Sequence, residues 1–229
     1  MTNFFRFPHT PYLEWASEHS PRGDKVLSAI EAYDLLNANV IVEEKIDGAN
    51  LGISLTDDGN FQFQNRGHIL TLPGKGQFSR LSSWLNHHRQ GLAAVLKPEL
   101  ILFGEWCAAR HSLDYSALPD WFIMFDVYDS NAGKFWSISR RNSLARHAGL
   151  ITPYEFFRGR TTMLELKHLL NASLSHYRNG PPEGIVIRRE NTEWSENRAK
   201  LVRSDFTQSI EKHWRKRILE WNMLSHNKK

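Results

Sequence analysis

One cysteine, Cys107, stands in 229 residues. A single thiol excludes an intramolecular disulfide and any cysteine-rich zinc site, and it suits a reducing compartment. No apolar run approaches the ~18 residues that a membrane-spanning helix needs. The first residues, Met1-Thr2-Asn3-Phe4-Phe5-Arg6, lack the basic-then-apolar plan of a secretory signal, so a cytoplasmic location and no membrane partner are expected. Internal repeats, low-complexity tracts and Gly/Ser-rich linkers are also missing. One unit over 1–229 is therefore expected, with its core at about 20–206 and 207–229 as a short appendage. His87-His88 and His111 have no metal-ligand spacing, and no signature surrounds Cys107 as a nucleophile.

What the chain does have is a hydrophobic content of 41 %, enough for a substantial core. Its net charge of +4 is unevenly spread: from Glu196 to Lys229 there are nine Lys/Arg against four Asp/Glu. A basic end can lie against a polyanion, or it can be a solvated helix face. Phe206, Ile210, Trp214, Ile218 and Trp221 recur at helical spacing, which predicts an amphipathic helix capped by Ser204 or Asp205. Lys212, Arg215, Lys216 and Arg217 would be its exposed side.

Alternation at Val40/Val42, Leu51/Ile53/Leu55 and Phe61/Phe63 predicts three strands joined as an antiparallel meander, with turns at Asp47-Gly48-Ala49-Asn50 and Asp57-Asp58-Gly59-Asn60. Further strands are predicted at Leu100–Trp106, Trp121–Tyr128, Gly184–Arg189 and Ala199–Val202. Helices are predicted along Leu81/Trp84/Leu85/His88/Leu92, from a Ser139 cap to Gly149, and over Leu164–Tyr177. Strands and helices do not alternate regularly, which points to an α+β fold rather than a doubly wound sheet.

The string Glu43-Glu44-Lys45-Ile46-Asp47-Gly48-Ala49-Asn50 holds a lysine at a strand end beside a sharp turn. Apolar neighbours there would desolvate the amine and lower its pKa from about 10.4, freeing it to attack an electrophile. Alone, the same lysine is also an ordinary hairpin residue paired with Glu44.

An ordered series of strings changes the weighing. Lys45-Ile46-Asp47-Gly48 is followed by Asn65-Arg66-Gly67, Phe103-Gly104-Glu105-Trp106, Met124-Phe125-Asp126-Val127-Tyr128, Glu183-Gly184-Ile185-Val186-Ile187-Arg188 and Ala199-Lys200-Leu201-Val202. This series resembles the covalent nucleotidyltransferases (DNA ligases, RNA ligases and mRNA capping enzymes), and its Glu-Lys-Ile-Asp-Gly-Ala-Asn form is most similar to nick-sealing RNA ligases of phage and trypanosome-editing type. The resemblance implies an ATP-grasp-like nucleotidyltransferase domain of antiparallel sheets flanked by helices, here with a basic C-terminal helix. It implies Lys45 as the catalytic nucleophile toward ATP. Glu44, Asn50, Arg66, Glu105, Phe125 and Lys200 are the implied nucleotide contacts: Phe125 stacks on the adenine, Lys200 meets the α-phosphate, and Arg66 meets ribose or the phosphate of a nucleic-acid end. Glu183, with Glu105, is implied to hold Mg²⁺ or Mn²⁺.

The expected partner is RNA, as a nicked duplex or single-stranded ends, in RNA repair. The resemblance also admits a DNA nick ligase, a capping-type guanylyltransferase or a silent RNA-binding module. Two departures stand out: Val202 occupies the place of a second lysine in the last motif, and few residues follow Phe206, so an end-processing or RNA-binding partner protein is a further expectation. Gly74-Lys75-Gly76 is too short for a P-loop and reads as an ordinary loop, with an RNA contact as the functional alternative.

Overall fold

A computed structural model describes residues 4–15, 25–209 and 219–225. Ten strands and five helices follow in the order α1 (Ala29–Leu36), β1 (Val40–Lys45), β2 (Ala49–Leu55), β3 (Phe61–Gln64), β4 (Ile69–Leu70), α2 (Leu81–Val95), β5 (Leu100–Trp106), β6 (Phe122–Asp129), β7 (Lys134–Phe135), α3 (Ile138–Ala148), β8 (Glu155–Gly159), α4 (Met163–Ala172), β9 (Gly184–Glu190), β10 (Ser195–Val202) and α5 (Ser204–Ser209). The strands form two sheets, ordered β10-β9-β1-β8 and β4-β3-β2-β5-β6-β7, and every strand pairing is antiparallel. The α+β expectation holds.

The predicted meander holds only in part. β2 pairs with β3 and β5, whereas β1 pairs with β8 and β9, so β1 and β2 are not a hairpin. The turn after Lys45 instead carries the chain from one sheet to the other. Local alternation marks strands but carries no information about which distant strand completes each ladder.

Each sheet buries one face under helices. Leu51, Ile53, Leu102 and Met124 pack with Leu81, Trp84, Leu85 and Leu92 of α2. Val40, Val42, Ile185 and Ile187 pack with Leu166 and Leu170 of α4 and Leu35 of α1. The helix ends follow their caps. Ser28 and Thr162 form capping boxes with Glu31 and Glu165. Ser137, not Ser139, caps α3, and Gly149 ends it in the left-handed region at φ 66°. α4 stops at Ala172, short of Tyr177.

Both chain ends differ from expectation. Residues 4–15 pack on the body: Phe7 packs with Ile101 and Phe103, and Leu13 N–H donates to the Lys200 carbonyl at 2.8 Å. Of the helix predicted from Phe206 to Trp221, the described residues show only its start, as α5 over Ser204–Ser209; the stretch over 210–218, with Lys212, Arg215, Lys216 and Arg217, lies outside the described residues. Trp221 is not helical: it bridges Ala109 in extended pairing, and 219–225 runs as a strap along 108–118, joined by backbone bonds at Arg110, Leu118, Asn222, Met223 and Ser225. Among the described residues no helix is long and apolar enough to cross a membrane.

Candidate active site

Lys45 ends β1 opposite Gly184, whose strand lies so close to β10 that an added Cβ would meet the Leu201 carbonyl at 2.4 Å. Glycine there lets three strands converge beneath the lysine. Lys45 Nζ donates to Glu183 Oε2 at 2.6 Å, with the lysine side chain 24 % exposed and the glutamate 6 %. Burial alone would depress the lysine pKa, as expected from the sequence. The carboxylates of Glu183 and Glu105 outweigh it, so the pKa lies above the ordinary value and the resting group is an ammonium. The expected depressed amine is thus absent from the ligand-free site, because Glu183, the residue just before β9, brings a carboxylate that sequence proximity did not reveal.

The turn after Lys45 is clamped. Asp47 Oδ2 accepts from Ser112 and Leu113 N–H at 2.7 and 2.9 Å, and Asp47 N–H donates to Tyr115 Oη at 2.8 Å. At Gly48 a Cβ would lie 2.6 Å from the Trp106 carbonyl, so the tight turn requires glycine there. Tyr115 is held in turn by Asn222, whose Oδ1 accepts from Tyr115 N–H at 2.9 Å while its Nδ2 donates to the carbonyls of Cys107 and Ala109. Asn222 is buried. Sequence reading missed Tyr115 and Asn222, since no local pattern links them to a turn 68 and 175 positions away.

Above this turn opens a cleft of about 610 Å³ that Lys45, Asn50, Arg66, Glu105, Phe125 and Lys200 line together. Asn50 and Glu105 sit directly opposite each other on β2 and β5, and Val186 and Lys200 do so on β9 and β10. Phe125 falls where the β5–β6 register slips, with Phe103 opposite Asp126 and Gly104 opposite Met124. A bulge of this kind re-aims one side chain, and it leaves Phe125 half-buried on the cleft wall, 5.2 Å edge-on from Phe7. Lys200 Nζ lies 4.0 Å over the Tyr12 ring. Two cleft atoms, Asn50 Oδ1 and Arg66 Nε, are buried without a hydrogen-bond partner among the described residues, a condition that costs free energy unless a ligand relieves it.

Glu44 borders the cleft, but strand alternation turns its carboxylate away from Lys45. Ser175 Oγ and His176 N–H donate to it at 2.5 and 3.0 Å. Its carboxylate is therefore occupied in this structure by Ser175 and His176. The lysine pairs with Glu183 rather than with Glu44.

Beneath the cleft lies a charged floor that sequence reading also missed. Glu43 binds Arg141 through both oxygens and lies 3.0 Å from Arg188 Nε. Asp126 joins Arg188 at 2.7 Å and Arg198 at 2.5 Å. Arg141 also donates to the Phe125 carbonyl at 2.9 Å, tying the bulge to the strand of the nucleophile. Glu190 also acts on Arg141 and Arg188, so three arginines meet three carboxylates. Burial, with Arg188 and Arg66 adding repulsion, lowers the Arg198 pKa to about 10.

The carboxylates expected to hold a metal face the same way. Burial pushes Glu105 up to about 8 and Glu183 up to about 7, in each case against the pull of Lys45. Among the described residues no group of three or more His, Cys, Asp or Glu is placed to hold a metal. Two hard carboxylates beside a phosphate site still fit Mg²⁺ or Mn²⁺, which binds through one or two carboxylates plus substrate phosphates rather than in an all-protein cage.

The sequence profile of the RNA ligase family matches residues 38–202. No curated protein sequence matches significantly. Among solved structures, the chain is similar to a Naegleria gruberi RNA ligase with pyrophosphate (TM-score 0.63, 16 % identity, 78 % of this chain and 53 % of that one). A lysine-to-alanine mutant of the Naegleria ligase with ATP and Mn matches at TM-score 0.61 and 17 % identity, over 79 % of this chain and 53 % of that one. An archaeal ATP-dependent RNA ligase matches at TM-score 0.51 and 20 % identity, over 74 % and 44 %. The chain spans about half the length of these structures, and likeness at such identity speaks to the fold.

Proposed function

Because this chain belongs to the RNA ligase family, we propose that it is an ATP-dependent RNA ligase that attacks ATP with Lys45 and carries AMP as a lysyl phosphoramidate. The observation that carries the reading is the position of Lys45 Nζ on Glu183, in a cleft that Arg66, Glu105, Phe125 and Lys200 also line. Phe125 offers a face for the adenine, and Asn50 and Arg66 offer polar atoms with no other partner.

Nζ must give up its proton before it attacks the α-phosphorus and pyrophosphate leaves. Glu183 is the proton's nearest acceptor, and burial has already raised its pKa to about 7. Lys200 and Arg66, which line the cleft, meet the charge that develops on the phosphate oxygens. Glu183 and Glu105 would hold Mg²⁺ or Mn²⁺, which supplies charge neutralisation at the phosphates and lowers the lysine pKa. The bound AMP then passes to a 5′-phosphate, and a 3′-hydroxyl displaces it to join the strands. Two Naegleria gruberi RNA ligase structures that hold Mn with ATP or AMP support the cofactor assignment. An RNA-repair role in the cytoplasm, with or without an end-processing partner, completes the reading.

The test is a sealing assay with ATP and Mn²⁺ on RNA carrying a 3′-hydroxyl and a 5′-phosphate, as a nick and as single strands, with DNA strands in parallel. Joined RNA, dependent on the 5′-phosphate, is the expected product. Joined DNA with no joined RNA, or neither product, would overturn the RNA assignment.

A further inference from the structure

A second and larger cavity, about 980 Å³, opens beside the nucleotide cleft. One wall is the segment from His68 to Phe78, and the other is Arg110 and His111 with Leu219 and Glu220 of the strap. The two cavities are adjacent, with Asn65, His68, Gln77, Phe78 and His111 as their common border. Whatever fills the second therefore lies beside the cleft that Lys45 lines.

Its lining mixes apolar ledges, Leu70, Leu72 and Pro73, with the cations Lys75 and Arg110. Arg110 is ion-paired with Glu220 of the strap at 2.7 Å, with side chains 38 % and 58 % exposed, so a stronger anion can take that guanidinium at little cost. Arg110 Nε is buried without a hydrogen-bond partner among the described residues, an unmet donor like Arg66 Nε in the neighbouring cleft. The residues immediately before Leu219 in the sequence, 210–218, include Lys212, Arg215, Lys216 and Arg217 against one acid, Glu211.

Resting on the RNA-ligase reading, we propose that this groove binds the terminal nucleotides of the 5′-phosphate strand. Lys75 and Arg110 meet its phosphates, and the apolar ledge receives unstacked bases. Single-stranded RNA is bound by this combination: a cationic track for the backbone and apolar surface for splayed bases. The strap thus supplies in cis one wall of a nucleic-acid site.

The test uses the full chain and a fluorescent 5′-phosphorylated oligoribonucleotide, with anisotropy read over a salt series, alongside lysyl-AMP formation from ATP alone. The double variant Lys75→Ala/Arg110→Ala is expected to weaken RNA binding about tenfold and to flatten the log–log salt slope by about 1.4, at about 0.7 per lost contact. Lysyl-AMP formation should stay at the wild-type rate, since neither residue borders the nucleotide cleft, and this also reports that the variant is folded. Glu220→Gln should tighten RNA binding, because it releases Arg110 and removes a negative charge. Unchanged affinity and slope in the double variant would overturn the proposal. So would a loss of lysyl-AMP formation in a variant that still melts cooperatively at the wild-type temperature, which would assign the groove to ATP. If the wild type forms no adduct at all, the catalytic reading fails, while the anisotropy series still decides the groove.

Discussion

Tyr115→Phe removes one hydrogen bond and little else. The phenol is buried, and its oxygen accepts from the Asp47 N–H at 2.8 Å. Phenylalanine fills nearly the same volume, so the loss is the acceptor, and the Asp47 amide is left without a partner at a cost of about 1–3 kcal/mol. At roughly 2–4 °C per kcal/mol for a chain of this size, the melting temperature should fall by about 2–12 °C. The larger effect belongs to chemistry. The turn fixes the end of the strand that aims Lys45, and a misplacement of about 1 Å costs on the order of 100-fold in rate. Single-turnover lysyl-AMP formation across an ATP series should therefore show a maximal rate lowered about 10- to 100-fold, with half-saturation by ATP nearly unchanged. A lower melting temperature with an unaltered maximal rate would refute the idea that the clamp positions the nucleophile.

Asn222→Ala should act in the same direction and more strongly on stability. It removes three buried hydrogen bonds at about 1 kcal/mol each, which thermal unfolding reads directly. Arg141→Met leaves Glu43 without its bidentate partner. A cost of about 3–5 kcal/mol is expected, checked by urea unfolding. Divalent-ion binding should tighten as pH rises from about 6 to 9. Glu183 and Glu105 have pKa values raised to about 7 and 8 in the metal-free site, so they hold protons at low pH, and a cation must displace those protons to bind. Calorimetry in buffers of different ionisation heat should detect proton release at pH 6.5, and Glu183→Gln should reduce it.

The sequence displayed the chemistry better than the scaffold. Lys45, Arg66, Glu105, Phe125, Glu183 and Lys200 each sit in a short recognisable string, and the fold gathers all of them except Glu183 around one cleft, with Glu183 bonded to the lysine at its base. Long-range pairings were not legible. Nothing local distinguishes a turn within a hairpin from a turn that crosses between sheets, so β1 and β2 read as neighbours. Glu43 and Asp126 look like strand residues until Arg141, Arg188 and Arg198 arrive from elsewhere in the chain. Helical spacing at Trp221 is contradicted by its bridge to Ala109, because a strap held by buried Asn222 outweighs a periodicity of aromatic residues. That Ser175 and His176 hold Glu44 was equally out of reach of local patterns, because both partners come from about 130 residues away.

The central claim is that Lys45 is the atom that takes AMP. Incubation with α-labelled ATP and Mn²⁺, followed by digestion and mass analysis of the labelled peptide, should place an acid-labile, alkali-stable AMP on Lys45, and Lys45→Ala should abolish labelling while the protein still melts cooperatively. Labelling that persists in Lys45→Ala, or no labelling of folded wild-type protein, would contradict the account.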